Sequence, residues 1–342
     1  MSAGDRMKTL AELGEDGVIA CFAAAGPAPG PDVLVPNGDD AAAFRLPPGE
    51  AAVVTTDSLV EGVHFDFGFS PARAVGRKLI GVNASDLAAM GARPRYALIS
   101  VCADQGVSAD RIAGIAAGIG EACHEEGIVI LGGNTTRIAG PLVLSATLIG
   151  VAAEGRLLRR AGSVAGDRIY VTGTLGDARA ALAVALGPKP SAGPLAEALL
   201  ARLIAPRARV AAGLALAETG AVHGMCDVSD GLGKDLRRLL AGERLGARID
   251  AAAIPISAAL AEAAAGMGAD PLAFALAGGE DYELLFTAAP GSGELIRAAC
   301  LQARTPVTEI GVVAPGGFVV ERAGAAGPLP EGYDHFLERR SG

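Results

Sequence analysis

The chain has 342 residues, a length typical of about two domains. Its net charge of −9, its aromatic content of 4% and the absence of tryptophan argue against a nucleic-acid-binding protein, because such proteins use basic surfaces and stacking platforms. No apolar run approaches the ~20 residues of a membrane-spanning helix, and no basic tract suits a membrane surface. The composition therefore favours a small-molecule partner.

The N-terminal residues and the cysteines indicate the cellular compartment. The segment "MSAGDRMKTLAELGEDG" is charged and lacks the apolar core of a signal peptide, so we expect a cytoplasmic protein. The five cysteines are scattered and form no C-x-x-C pair. This spacing predicts reduced thiols rather than disulfides or a zinc site.

Predicted strands alternate with predicted helices along the chain, which indicates mixed α/β layers. A polar, glycine-bearing stretch at 153–167 predicts a connection, after which the alternation begins again. We therefore divide the chain into domains at 1–152 and 153–342. In the N-terminal domain the predicted elements are a strand at 51–57, a helix at 70–91, a strand at 96–103, a helix at 108–127, a strand running into a loop at 128–136 and a strand at 141–152.

Acidic residues are grouped in four short segments, in a loop, at two strand ends and on one helix. The segments are "GDD" at 38–40, "TTDS" at 55–58, "NASD" at 83–86 and "CDVSDG" at 226–231. Asn83 and Asp86 are three residues apart on the predicted helix and share one face. If the segments converge, each pair of carboxylates at ~5 Å repels by roughly 3 kcal/mol at an effective dielectric constant of ~20. A cation must then lie between them.

Mg²⁺ is the cation that these residues favour, because it takes oxygen ligands and is usually held by a few carboxylates together with substrate phosphates. Calcium is less expected without an EF-hand loop. Zinc and iron would need more histidine or cysteine than the four scattered histidines offer. A single aspartate of this kind is more often a helix cap or a turn residue. Four such segments together indicate a metal site.

Other phosphate-binding signals in the sequence are weak. The sequence has neither a G-x-x-x-x-G-K-[ST] P-loop nor the glycine-rich loop of protein kinases. The segment "GTLGDA" at 173–178 fits a phosphate cradle at a helix start and, equally well, a plain turn into a helix. From position alone, His64 fits a surface residue as well as a ligand.

Seven motifs occur in an order that resembles the thiamine-monophosphate kinase family, within the superfamily of aminoimidazole ribonucleotide synthetase. They are "GDDAA", "TTDSLVEGVHF", "VNASDLAAMGARP", "GGNTTR", "DVSDGL", "GGEDYELLF" and "GYDHF". The resemblance implies a two-domain α/β fold. Its N-terminal domain would bind ATP and Mg²⁺ and pair its sheet in a homodimer, and its C-terminal domain would complete the active site.

The activity implied by the resemblance is transfer of the γ-phosphoryl group of ATP to thiamine monophosphate, without a phosphoenzyme and with several Mg²⁺ ions. The implied metal ligands are Asp39, Asp40, Thr55, Thr56, Asp57, Asp86, Asn134, Asp227 and Asp230. Asp57, Asp86 and Asp230 are also the expected catalytic residues. The implied ATP contacts are Gly133, Asn134, Arg160 and Ser229, and the implied contacts to thiamine monophosphate are His64, Glu280 and Tyr333.

One position departs from the pattern of the family. The family commonly has aspartate where this chain has Asn134, so one implied metal ligand is a neutral amide oxygen. The segment "GGNTT" at 132–136 resembles the nucleotide-binding loop of the family. The implied dimer surface involves the apolar strands at 51–57 and 97–103.

Two alternatives remain open at the level of the sequence. A sister enzyme, such as selenophosphate synthetase or aminoimidazole ribonucleotide synthetase, would share the acidic segments and phosphorylate a different acceptor. The first of these usually carries a reactive cysteine in a glycine-rich loop, whereas Cys21 lies in a segment that predicts a buried helix. The second alternative is a non-catalytic protein that binds nucleotides or thiamine phosphates.

Overall fold

The structure is a computed structural model that describes residues 9–36, 41–187 and 193–333. The helices are α1 (Leu10–Ala23), α2 (Ala72–Ala89), α3 (Ala109–Glu126), α4 (Asp177–Ala185), α5 (Pro194–Ile204), α6 (Val210–Thr219), α7 (Leu232–Leu240), α8 (Ala258–Met267), α9 (Pro271–Ala277) and α10 (Gly293–Gln302). The first six strands are β1 (Val33–Val35), β2 (Ala43–Phe44), β3 (Glu50–Val60), β4 (Arg93–Ala103), β5 (Val129–Arg137) and β6 (Val143–Ala153). The others are β7 (Arg168–Thr172), β8 (Val222–Asp227), β9 (Gly246–Asp250), β10 (Leu284–Ala288), β11 (Val307–Ala314), β12 (Phe318–Arg322) and β13 (Ala325–Pro328).

The predicted α/β class is confirmed, and the chain forms two compact units. Unit 1 takes the described residues of Met1–Leu87 and Ala92–Gly155, and unit 2 takes those of Ala88–Gly91 and Arg156–Gly342. In the ranges that the structure describes, no helix has the length and apolar character needed to cross a membrane.

Unit 1 is built on a four-stranded sheet with the strand order β3-β6-β4-β5. The pairs β3/β6 and β6/β4 are antiparallel, and β4/β5 is parallel. Side chains alternate between the two faces of such strands. Val53, Leu59 and Ile99 are buried on the face that α2 covers, whereas Val54 and Leu98 are 59% and 38% exposed on the opposite face. We call this second face the open face of the sheet.

Helices α2 and α3 pack so closely that their backbones touch at two glycines. A Cβ atom on Gly118 of α3 would lie 1.9 Å from the carbonyl oxygen of Arg73, and one on Gly76 of α2 would lie 2.0 Å from that of Ile115. The ends of α3 follow the sequence signals, because the Ser108 hydroxyl accepts from the Arg111 amide and Gly127 adopts a left-handed conformation with φ 69°.

The strand and helix predictions for the N-terminal domain are confirmed with two exceptions. The segment "TTDS" lies inside β3 rather than at a strand end, because β3 stays paired with β6 as far as Val60. The prediction that the segment at 128–136 passes from a strand into a loop is wrong, because β5 continues through "GGNTT" to Arg137. Gly133 explains the continuation. A Cβ atom at this position would lie 1.7 Å from the carbonyl oxygen of Ile99, so only glycine lets β5 stay paired with β4.

Unit 2 is built on a seven-stranded sheet with the order β13-β12-β9-β11-β7-β10-β8, in which only the pair β12/β9 is parallel. Its core joins apolar side chains of the sheet to leucines of α7 and α9. Members of that core include Ile169, Val171, Ile249, Leu285, Leu236, Leu239, Leu272 and Leu276. Each such side chain contributes about 1.5–3 kcal/mol on burial.

We expect Gly118→Ala to lower the free energy of unfolding by about 1–3 kcal/mol or more, because the added methyl group forces the backbones of α2 and α3 apart. The matched control is Gly266→Ala in α8, where a Cβ atom would meet no atom of the described residues within 4 Å. That variant should be neutral or stabilised by about 0.5–1 kcal/mol. Urea unfolding followed by circular dichroism measures both, and equal midpoints for the two variants would contradict the close packing.

Candidate active site

The acidic residues of unit 1 are organised by hydrogen bonds between α2 and β3. The Thr55 hydroxyl donates to Oδ2 of Asp86 at 2.5 Å, and the Asp57 amide donates to Oδ1 of Asn83 at 2.9 Å. Asn83 is fully buried and also donates through Nδ2 to the Leu79 carbonyl at 2.9 Å. Alternate residues of β3 and one face of α2 therefore place Asp57 and Asp86 on the same side of the sheet.

The chemistry of this cluster suits a hard cation. The side chains that could reach a metal ion are the carboxylates of Asp57 and Asp86 and the hydroxyl of Thr55, and oxygen ligands of this kind are those that Mg²⁺ prefers. Asp57 is exposed and Asp86 is half-buried, so the carboxylates are accessible. Within 9–36, 41–187 and 193–333, no group of three or more histidine, cysteine, aspartate or glutamate side chains is arranged to hold a metal ion. Asp39 and Asp40, the other predicted ligands of this region, lie outside the described residues.

Two predicted metal ligands of unit 1 lie on the open face of the sheet instead. The Thr56 hydroxyl donates to the Ala146 carbonyl and accepts from the Thr147 hydroxyl, both at 3.1 Å. Asn134 pairs with Ser100 in the register of β5 against β4, and its Nδ2 donates to the Thr136 hydroxyl at 3.1 Å. Because β5 and β3 are the two edges of the sheet, Asn134 lies three strand spacings, about 14 Å, from β3. Within one chain, Asn134 and Asp57 are too far apart to share a metal ion.

His64 lies in a tight turn at the end of β3. Its Nδ1 accepts from the Val60 amide at 3.1 Å, so its ring proton is on Nε2, which is a hydrogen-bond donor. The turn is held by Lys78 of α2, whose Nζ donates to the His64 carbonyl at 2.8 Å. Lys78 is only 2% exposed. The sequence did not reveal this lysine, because nothing local links residues 14 positions apart.

The predicted site residues of unit 2 meet around the turn that follows β8. Asp227 ends the strand and is 5% exposed. The Ser229 carbonyl accepts from the Glu280 amide at 2.8 Å, and the Asp230 carbonyl accepts from the Tyr333 amide at 2.9 Å. These main-chain bonds bring together four of the predicted residues, namely Ser229, Asp230, Glu280 and Tyr333, beside Asp227.

Two basic side chains, which the sequence did not indicate, bind the carboxylate of Asp230. Oδ2 of Asp230 accepts from Arg238 at 2.6 Å and lies 3.1 Å from Nζ of Lys234. The Asp230 amide donates to Asp235, a buried carboxyl whose pKa is raised to about 6 by desolvation. Both basic residues lie in the first two turns of α7, which begins two residues after Asp230, and this nearness along the chain is the signal that could have identified them. The turn therefore carries positive charge as well as carboxylates.

Arg160 lies beside β8, because the carbonyl of its neighbour Arg159 accepts from the Met225 amide at 2.7 Å. Its side chain is exposed. The "GTLGDA" segment behaves as a plain turn, since three of its amides donate within the protein. Gly173 and Leu175 donate to the carbonyls of Pro306 and Pro255, both at 3.0 Å, and Gly176 donates to Asp281 at 2.8 Å.

Comparison with known proteins assigns the chain to a family. The model described as AIR synthase related protein, N-terminal domain, matches residues 38–152, and the corresponding C-terminal domain model matches residues 164–322. The thiamine-monophosphate kinase of Rhodopirellula baltica is 35% identical over 291 residues, which cover 83% of this chain and 84% of that protein. The chain belongs to the thiamine-monophosphate kinases. The protein is therefore an enzyme, a kinase.

Solved structures agree with the family. The crystal structure of thiamine-monophosphate kinase from Stenotrophomonas maltophilia K279a is 38% identical, with a TM-score of 0.78 and coverage of 91% of this chain and 96% of that chain. A structure described as AaThiL complexed with AMPPCP and TMP is 31% identical, with a TM-score of 0.75 and coverage of 98% of this chain and 100% of that chain. The predicted fold of the aminoimidazole ribonucleotide synthetase superfamily is thereby confirmed.

We expect Asn83→Ala to destabilise the protein by about 1–3 kcal/mol, because the variant leaves the Asp57 amide without its buried acceptor and opens a cavity. The control is Gln302→Ala, which removes an amide side chain from an exposed position at the end of α10. Its effect should stay within about 0.5 kcal/mol. Thermal unfolding at pH 7 compares the two, and equal melting temperatures would show that Asn83 does not fix β3 against α2.

Proposed function

We propose that the protein transfers the γ-phosphoryl group of ATP to the phosphate of thiamine monophosphate, giving thiamine diphosphate. The observation that carries this proposal is the identity of 35% to a thiamine-monophosphate kinase over more than four-fifths of both chains. The alignment with the complex of AMPPCP and TMP over 98% of this chain supports ATP as the co-substrate. The oxygen-rich cluster of unit 1 and the charged turn of unit 2 suit a reaction that consists mainly of positioning and charge neutralisation.

Several Mg²⁺ ions belong to the proposal, and the cluster on β3 and α2 fits them because its donors are all oxygens. When bound, such ions neutralise the phosphates and the negative charge that develops during in-line transfer. Asp57 and Asp86 would hold them, with Thr55 orienting Asp86 and Asn83 fixing the main chain at Asp57. The proposal also retains Asp39, Asp40, Thr56, Asn134, Asp227 and Asp230 as ligands predicted from the resemblance.

The residues of unit 2 would contact phosphates and the acceptor. Lys234, Arg238 and Arg160 supply positive charge near the turn after β8, where Ser229 offers a hydroxyl. Glu280 and Tyr333 are proposed to contact thiamine monophosphate. In unit 1, His64 would donate from Nε2 to an acceptor oxygen, and Gly133 would lie against the nucleotide. In this scheme 1–152 is the ATP-binding and dimerisation domain, and 153–342 completes the active site.

The test of the function is incubation of the protein with ATP, Mg²⁺ and thiamine monophosphate, followed by chromatographic detection of thiamine diphosphate and ADP. The expected result is equal amounts of both products. Parallel reactions with selenide or with the acyclic precursor of aminoimidazole ribonucleotide address the sister enzymes. Turnover of one of these alone would transfer the assignment to that sister activity, and no turnover of any acceptor would favour a binding protein.

We expect Asp57→Asn to lower kcat at least on the order of tenfold while changing the KM for ATP much less, because charge next to the transferred group is stabilised mainly in the transition state. The control is Asp104→Asn, another aspartate of unit 1, which accepts from the Gly106 amide at 2.8 Å in a turn after β4. Its kinetics should match those of the wild type. A normal kcat for Asp57→Asn would remove that residue from the catalytic set.

The proposal includes a homodimer formed through the open face of the unit 1 sheet. Val54 and Leu98 expose 59% and 38% of their surfaces there, and both lie on the strands predicted to form the interface. Exposed apolar side chains on one sheet face suit sheet-on-sheet packing between two copies.

We expect Val54→Asp to convert the dimer to a monomer, because each copy would bury an unpaired carboxylate in the interface. Leu301→Asp is the matched control, since Leu301 is 78% exposed on α10 of unit 2. Light scattering at micromolar concentration should give a dimer mass for this control. Monomeric wild-type protein, or a dimeric Val54→Asp, would contradict the proposed surface.

A cytoplasmic location is also proposed. Its support is that all five cysteines are free thiols in the structure, as expected for a reducing compartment. Cys21 lies in α1, as predicted, but is only half-buried.

A further inference from the structure

The segment Gly278–Glu283, between α9 and β10, has an unusual backbone. Glu280 and Tyr282 both adopt left-handed conformations, with φ of 68° and 50°. Residues with a side chain disfavour this region by roughly 1–2 kcal/mol each. Two such residues so close together persist only where the surroundings hold the chain, and such strain is concentrated at functional sites.

Main-chain hydrogen bonds join this segment to the turn after β8. The Glu280 amide donates to the Ser229 carbonyl at 2.8 Å, and the Tyr282 amide donates to the Val228 carbonyl at 2.9 Å. The Val228 amide donates in return to the Glu283 carbonyl at 2.8 Å. The position of Glu280 therefore depends on what holds Glu283.

Glu283 is fully buried and is held by charge-assisted bonds from two arginines. Arg209 donates from Nε and Nη2 at 2.6 and 2.5 Å, in a bidentate pair, and Arg202 donates from Nη2 at 2.6 Å. The Thr172 hydroxyl adds a fourth bond at 2.7 Å and accepts from the Leu284 amide at 2.8 Å. A buried carboxylate with this many partners has one allowed position, because every displacement breaks a charge-assisted bond.

Asp281, between the two strained residues, provides a second attachment point. Its Oδ2 accepts from the Gly176 amide at 2.8 Å, and its Oδ1 is buried and accepts no hydrogen bond from the residues that the structure describes. Burial raises the pKa of this carboxyl well above its ordinary value, and the nearby Asp177 and Glu283 add to the effect. The neighbouring carboxylates Asp281 and Glu283 are thus fixed by different means, one by an amide and one by arginines.

We propose that Glu283, clamped by Arg202 and Arg209, is a positioning residue that holds Glu280 in place for the acceptor substrate. The inference rests on the proposed function, because Glu280 is there assigned to thiamine monophosphate. Glu283 itself does not touch the substrate. Its side chain acts through the backbone of the segment and the bonds to Val228 and Ser229.

The kinetic test is a double-mutant cycle between Glu283→Gln and Glu280→Ala. The glutamine keeps the size of the side chain and removes its charge, so Arg209 loses its bidentate carboxylate partner, while Arg202 keeps Asp177, at 3.7 Å. We expect Glu283→Gln to raise the KM for thiamine monophosphate on the order of tenfold and to leave the KM for ATP within about twofold. In the Glu280→Ala background the same change should add less than about twofold, because the side chain to be positioned is gone.

The matched control is Asp167→Asn, which alters another buried carboxylate of unit 2. Oδ2 of Asp167 accepts from Nδ1 of His223 at 2.8 Å and from the Val164 amide at 2.9 Å. It lies just before β7, whereas Thr172 ends that strand. If the change in KM came from general destabilisation, Glu283→Gln and Asp167→Asn would show it alike. Because Glu283 positions Glu280, we expect a raised KM for thiamine monophosphate in Glu283→Gln and a normal KM in Asp167→Asn.

A second readout does not depend on activity. Hydrogen exchange of the Glu280 and Tyr282 amides should be faster in Glu283→Gln than in Asp167→Asn, because their carbonyl partners are no longer held in register. If Glu283→Gln does not fold, Thr172→Val removes one bond to the same carboxylate and takes its place. Additive effects in the cycle, or unchanged exchange, would overturn the positioning role. An inactive wild-type protein would refute the proposed function, and exchange would still decide the inference.

Discussion

The hydrogen bonds between α2 and β3 determine where the carboxylates of unit 1 point. Asn83 accepts from the main chain at Asp57, and Asp86 accepts from Thr55, so helix and strand are joined through the cluster itself. The helix can lie in this position because glycines let α3 approach α2 to backbone contact. The site and the core of unit 1 therefore depend on the same interactions, and a change in either one displaces the other.

Much of unit 1 follows from local sequence. The spacing of three between Asn83 and Asp86 predicts that the two residues share one helix face. The assignment of both Thr55 and Thr56 to the metal ignored the alternation of a strand, which puts their hydroxyls on opposite faces of the sheet. The sequence did not predict that "GGNTT" continues strand β5. Glycines indicate a loop unless the close approach of the Ile99 carbonyl to Gly133 is known. The sequence also did not predict that Asn134 lies far from β3, because the order of strands in a sheet cannot be read from one segment.

The charged groups of unit 2 show a different limit of sequence reasoning. Glu283 is bound by Arg209 and Arg202, which are 74 and 81 residues away in the chain, and by Thr172, which is 111 residues away. No sequence period indicates pairs this far apart, whereas Lys234, which pairs with Asp230, is only four residues away in the chain. The motif "GGEDYELLF" was visible in the sequence, but the opposite environments of Asp281 and Glu283 within it were not.

The strand order of unit 1 also dictates when that unit can fold during synthesis. β6 is the last of its strands in the chain, yet it lies between β3 and β4. Neither β3/β6 nor β6/β4, the antiparallel pairs of the four-stranded sheet, can form before residues 143–153 leave the ribosome, while the parallel pair β4/β5 and its connecting helix can form earlier. Until then β3 lacks its neighbour, and its apolar residues remain available to chaperones or to other nascent chains.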